Sequence, residues 1–409
     1  MPLHRSRYAV NCVILAAISS GVWTGPSRAD EASYWTDHDE DVVLRFVQDP
    51  GAEAAEAPAP PVTEPQPAPR TRFVRLQRNT VRSRFRLASV PNMFGDTFPS
   101  AGQVFAGLAP TAGADIGLAG GARRMKIAEN NKALPMDRMI FMYNRFYTAL
   151  AGDDDVATPG GVQRFAVDRY TLGLEKTFAD GLWSIDVRMP FTSDYAFTSP
   201  SLAVSGGNIG NLNVSLKRLL YETDDAAIVA GLGIDLPTGS DVRGSAIGFP
   251  MVVHNDAVLL MPYLGLLVSP DDLTFGHAFV QLDVPANGNR IDVPPLVSGV
   301  YNDQSLLYLD ASVGRWLYRD AEADYLRGLA ALLELHYTTT LQDTDVVGGA
   351  LPRPIFGESA NRRDILNFTL GLHAEVAQTD FRVGAVFPLR EKPNRVFSSE
   401  LQVQINRHF

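Results

Sequence analysis

The chain has 409 residues, 45% of them hydrophobic and 20% charged, with a formal net charge of -10. A mean hydropathy of -0.04 excludes a bundle of transmembrane helices, and the acidic balance excludes a nucleic-acid binder, because neutralising phosphate needs a basic face. A single cysteine, Cys12, allows no disulfide and no cysteine-built metal site.

Residues 1–29 read as a secretory signal peptide. His4, Arg5 and Arg7 give a basic start, Tyr8 to Trp23 an apolar run, and Ser27-Arg28-Ala29 a small-residue cleavage triplet. The run is shorter than the ~20 residues a spanning helix needs, so export is expected rather than anchoring. Residues 30–69 are acidic and then rich in Pro, Ala and Glu. Such a segment buries too little apolar surface to offset its ordering entropy and reads as a disordered periplasmic linker, with cell-wall contact as one use.

Residues 70–136 form an Arg-rich and then Gly/Ala-rich periplasmic or plug segment. Arg78, Arg82, Arg84 and Arg86 are the candidates for plugging an acidic lumen; the plainer reading is the solvated face of a short strand or helix. Ala101 to Gly121 shows no period and reads as a loop or an inserted plug.

From Arg138 the pattern alternates apolar and polar with period two, the mark of strands with one apolar and one polar face. Twelve such segments are expected. They run Arg138 to Leu150, Gln163 to Ala179, Leu182 to Ser193, Asn208 to Tyr221, Ala226 to Leu236, Val252 to Val268, Leu273 to Val284, Gln304 to Tyr318, Tyr325 to Thr340, Asp364 to Ala377, Phe381 to Leu389 and Phe397 to Phe409. The links between them alternate short and long. Tight turns on one side and long loops on the other predict an all-β, antiparallel up-and-down transmembrane β-barrel over residues 137–409.

The faces are clean in the tenth segment, where Leu366, Phe368, Leu370 and Leu372 oppose Asn367, Thr369, His373 and Glu375. In the last, Leu401, Val403, Ile405 and Phe409 oppose Glu400, Gln402, Gln404 and Asn406. An open edge in hydrocarbon leaves backbone groups unpaired at several kcal/mol each, so the sheet must close. Lipid is then the expected partner outside and a small-molecule solute inside. Lumen-lining candidates are Arg169, Glu175, Asp186, Arg188, Lys217, Asp310, Glu334, His336, His373, Glu375 and Glu400. They either set the field a solute meets or pair across the lumen and stiffen it.

Tests for chemistry come out empty. No phosphate-binding loop, dinucleotide fingerprint, HExxH or EF-hand is present. Glu334 and His336 with His373 and Glu375 suggest metal ligands by type, but their positions along their strands place the two histidines ~20 Å apart in depth. Neither enzyme activity nor a cofactor is expected.

Gly231-Leu232-Gly233-Ile234-Asp235-Leu236-Pro237-Thr238-Gly239 resembles a stretch of the outer-membrane transporters associated with the phenol-degradation meta pathway, themselves built like fatty-acid-transporter barrels. Lys126-Ile127-Ala128-Glu129-Asn130, Pro135-Met136-Asp137-Arg138 and Tyr143-Asn144 resemble the lead into the first strand of such barrels. A terminal phenylalanine, Phe409, resembles the signal by which outer-membrane barrels meet the barrel-assembly machinery. The resemblance implies an exported outer-membrane channel or transporter passing small hydrophobic or aromatic molecules; it supplies no ligand residues. The alternative is a non-conducting barrel that anchors the envelope through the Pro-rich arm.

Overall fold

A computed structural model describes residues 86–96, 101–105, 113–117, 124–153, 162–198, 202–349, 354–357 and 361–409. The expected signal peptide, the Pro-rich arm and Arg78, Arg82 and Arg84 lie outside the described residues.

The wall is a closed antiparallel barrel of twelve strands. They are β1 (Arg138–Asp153), β2 (Val162–Phe178), β3 (Trp183–Thr198), β4 (Leu212–Glu222), β5 (Ala226–Leu236), β6 (Leu259–Val268), β7 (Thr274–Pro285), β8 (Leu306–Arg319), β9 (Leu326–Thr340), β10 (Asp364–Val376), β11 (Thr379–Pro388) and β12 (Ser399–His408). Each strand pairs with the next, and β12 closes on β1 from Ser399 opposite Tyr147 to His408 opposite Arg138. No strand edge in the wall is left for hydrocarbon to meet.

Alternation sorts the side chains. Leu172, Leu264, Leu370, Leu372, Phe381 and Val383 stand exposed on the outside, and Leu366 and Leu401 meet no second protein layer among the described residues. Asn144, Arg169, Glu334 and Gln404 point inward and are buried. Such rows of outward leucine and phenylalanine would cost about 25 cal/mol per Å² in water, so the wall is that of a membrane-spanning barrel. Some aromatics near strand ends turn inward instead. Trp316 is buried, and a bulge between Trp316 and Tyr318 returns Tyr318 to the outside.

The short links are tight turns. Between β2 and β3, Ala179, Asp180 and Gly181 all take positive φ. The long links differ from expectation, because most of them carry further strands. Leu202–Ile209, Val242–Ala246, Phe249–Val253, Asn289–Val293 and Val297–Tyr301 extend the sheet as a collar beyond the wall. The fourth and sixth expected segments therefore begin too early: Asn208 and Ile209 belong to one collar strand and Val252 and Val253 to another. The last turn is also shorter than expected, because Asp380 already lies within β11.

Ala101–Phe105 and Gly113–Gly117 form an antiparallel hairpin, where the sequence suggested a loop or plug. One strand of it pairs with Ile355–Gly357 and the other with the end of β1, so an N-terminal segment completes the collar. The collar has its own core, including Val204, Met251, Ile291, Val293, Tyr301 and Phe356. On its rim Arg290 donates to Asp256 at 2.8 Å, and that hydrogen bond holds the Asp256 carboxyl below the usual carboxylate range.

Candidate functional site: a lumen filled by its own chain

The lumen is occupied by residues 86–96 and 124–136. Arg86 sits at the short-turn end, donating to Asp225 at 2.9 Å and lying 3.4 Å from Asp272. It fastens the segment to two turns rather than plugging the lumen. From there one arm rises through the barrel toward the collar hairpin, and the other descends to β1. The arms touch where the Met93 N–H donates to the Asn131 carbonyl at 2.8 Å. Gly95 takes φ +75°, and a Cβ there would stand 2.6 Å from the Glu129 Cα, so only glycine lets the arms approach this closely.

Apolar contacts seat the short-turn half of this plug. Leu87, Val90, Met93, Phe94, Ile127 and Leu134 pack into a bed that includes Tyr263, Phe275, Phe279, Trp316 and Leu332. Phe94 fills a notch between Gly371 and Gly384, which face each other across β10 and β11. A Cβ on Gly371 would lie 2.1 Å from the ring and one on Gly384 2.8 Å from it. The Arg382 guanidinium covers the ring at 4.0 Å.

Polar contacts hold the rest. Glu334 accepts the Phe94 and Gly95 N–H groups at 2.7 and 2.9 Å. Lys126 bonds Asp96 and, at 2.7 Å, Asp310, which also bonds His336 at 2.7 Å. Glu129 pairs with Arg169 and accepts from Asn144 at 3.2 Å, while its carbonyl accepts from Arg188 at 2.6 Å. Lys217 donates to Asn131 at 2.7 Å and to Glu175 at 2.9 Å, and Glu175 also takes Arg138 at 2.9 Å. Arg188 pairs with Asp186 at 2.7 Å.

The remaining lumen candidates divide. Glu400 is buried and accepts from Asn144 at 2.7 Å, and His373 is buried edge-on to Trp316. Glu375 is half-buried at the short-turn end.

Asp96, Arg124, Lys126, Glu129, Asn130, Asn131 and Lys132 were missed in the sequence. Their signal is the polar run Lys126 to Lys132 just before a strand, too polar for a core and too short to alternate. The resemblance reads Lys126 to Asn130 as the lead into the first strand; those residues lie in the lumen, and only Asp137 adjoins β1.

The wall charges are unevenly distributed. Strands β1 to β4 bury Arg138, Arg169, Arg188 and Lys217 against Glu175 and Asp186. Strands β5 to β9 bury Asp235, Asp283, Asp310 and Glu334 and, among the described residues, no lysine or arginine. The plug supplies the missing cations: Arg124 reaches Asp283 at 3.1 Å and Lys126 reaches Asp310. Donor atoms of Asp96, Asp310 and His336 lie within 4.8 Å of one another, as a metal site requires. The Lys126 ammonium touches both carboxylates, so a cation's place is already filled. His373 belongs elsewhere, since it pairs with Ala330, six positions along β9 from His336, ~20 Å at strand rise.

At the short-turn mouth a cleft of about 340 Å³ opens between plug and wall, lined by Leu134, Met136, Leu219, Thr177, His408 and Phe409 among others.

No protein-family model matches the chain, and no curated protein matches it in sequence. Solved structures resemble it in fold. An outer membrane channel from Pseudomonas putida F1 is 10% identical with a TM-score of 0.45, covering 68% of this chain and 97% of that one. The NanC porin is 9% identical with a TM-score of 0.40, covering 66% and 98%. The CymD monoaromatic hydrocarbon channel is 11% identical with a TM-score of 0.35, covering 68% and 89%. The likeness is one of barrel fold.

Proposed function

We propose that this chain is an outer-membrane channel or passive transporter for small molecules, closed at rest by its own lumen plug. The observation that carries this reading is the division of the interior. The wall is lined by charged and polar groups, as a water-filled path is, while the space between is filled by a separate segment. That segment is held by hydrogen bonds and ion pairs that water or a solute can replace. The aromatic bed of Tyr263, Phe275, Phe279 and Trp316 supports hydrophobic or aromatic molecules among those that pass. The exposed Phe409 at the end of β12 supports assembly by the barrel-assembly machinery.

A second reading, a non-conducting structural barrel, is favoured by the apolar core of the collar. Planar-bilayer recording separates the two. Full-length protein should give brief, small openings, and Glu334→Gln, which weakens the acceptor holding Phe94 and Gly95, should lengthen them severalfold. Silence from both proteins would leave the structural barrel standing.

A further inference from the structure

We infer that the solute recognised in this lumen is a small zwitterion, carrying an amino or guanidino group at one end and a carboxylate at the other, and that the plug turn from Lys126 to Glu129 is its tethered mimic. The inference rests on the channel reading above and names its substrate class.

Lys126 and Glu129 leave one turn, closed by the Glu129 N–H on the Lys126 carbonyl. Their charges go to opposite walls. The ammonium lies against Asp310 and 5.1 Å from the Tyr308 ring on β8, and the carboxylate against Arg169 on β2 and Asn144 on β1. In a ring of twelve strands β8 and β2 are diametrically opposed.

What remains on the wall once the turn leaves is a cation site and an anion site facing each other. On the acidic side, which also buries Asp235 and Asp283, Asp310 and Glu334 share one wall histidine, His336, which lies 2.7 Å from Asp310 and 3.2 Å from Glu334, and strands β5 to β9 bury no lysine or arginine among the described residues. Asp235 and Asp310 each retain one buried oxygen without a hydrogen-bond partner there. Opposite stand Arg169 and Arg188, the latter also paired with Asp186 at 2.7 Å, and Asn144, which donates to Glu400 at 2.7 Å. A neutral or singly charged solute leaves at least one of these walls with an excess of like charge in a low-dielectric interior. A zwitterion satisfies both and so competes with the plug on equal terms. Binding that replaces the plug is also binding that opens the path.

The test is solute entry into proteoliposomes holding the full-length protein, comparing 6-aminohexanoate with hexanamide and with hexanoate. The zwitterion should enter at least about tenfold faster than the neutral amide, the discrimination expected of one charge-assisted hydrogen bond. Asp310→Asn and Arg169→Gln each remove one pole. Both should raise amide entry, because the plug is loosened, and both should bring the ratio toward one. Heat-modifiable migration identifies variants that fold. Equal entry of all three solutes through wild type, or a preference unmoved by either substitution in a folded barrel, would overturn the inference while leaving a channel. Entry of none would overturn the channel reading, and this inference with it.

Discussion

The glycine notch under Phe94 allows the plug's seating energy to be measured without touching a charge. Phe94 is fully buried, and a methyl group at Gly371 would occupy space 2.1 Å from its ring, so Gly371→Ala must push the ring out. The ring then loses its burial, about 3–5 kcal/mol by analogy with phenylalanine truncation in a core. Loss of the Arg382 contact at 4.0 Å removes about 0.5–2 kcal/mol more. At 1.4 kcal/mol per decade, plug docking should weaken by roughly three-hundredfold to a hundred-thousandfold.

Phe94→Ala should cost a similar amount for the same reason. The double variant is the discriminating protein. With no ring to displace, the Gly371→Ala methyl enters the vacated notch and should add nothing or restore a little, so the two changes couple by about 3 kcal/mol rather than summing. A cysteine replacing the buried Ala128, in a chain whose only other cysteine is Cys12, reports opening through its reaction rate with a membrane-impermeant maleimide. Unchanged labelling in Gly371→Ala, or a double variant in which the two effects simply add, would refute the notch.

Two further outcomes follow from the same packing. Lys217→Met removes an ammonium that bonds Asn131 at 2.7 Å and Glu175 at 2.9 Å in a fully enclosed site. Arg138 still neutralises Glu175, so the loss should be about 3 kcal/mol, the low end for breaking a buried pair, read as a lower midpoint of heat-modifiable migration or urea unfolding in detergent. Trp183 lies outward against Phe178, whereas Trp316 is buried inside against Phe275. In proteins retaining one or the other, brominated lipid should quench Trp183 and spare Trp316; equal quenching would contradict the assigned faces.

Period two in the sequence determined the wall. A side chain on a strand has two directions only, and in a membrane one of them must be apolar. Leu366 to Leu372 and Leu401 to Ile405 therefore announce lipid outside, and the alternation of short and long links announces an up-and-down barrel. The inward direction of residues such as Arg169, Glu175 and Asp310 is legible for the same reason.

Their partners are not legible, because a partner is set by what crosses the lumen, and nothing local in Lys126 to Lys132 says that this stretch enters a barrel whose strands follow it. The collar is hidden likewise. Its strands are short and pair with segments as distant as Ala101–Phe105 with Ile355–Gly357, so each depends on a neighbour brought near only when the ring closes. Tertiary structure alone decided that Lys126 and Glu129 face opposite walls: a turn fixes how far apart two side chains start, and only the closed barrel fixes which charges stand waiting on either side.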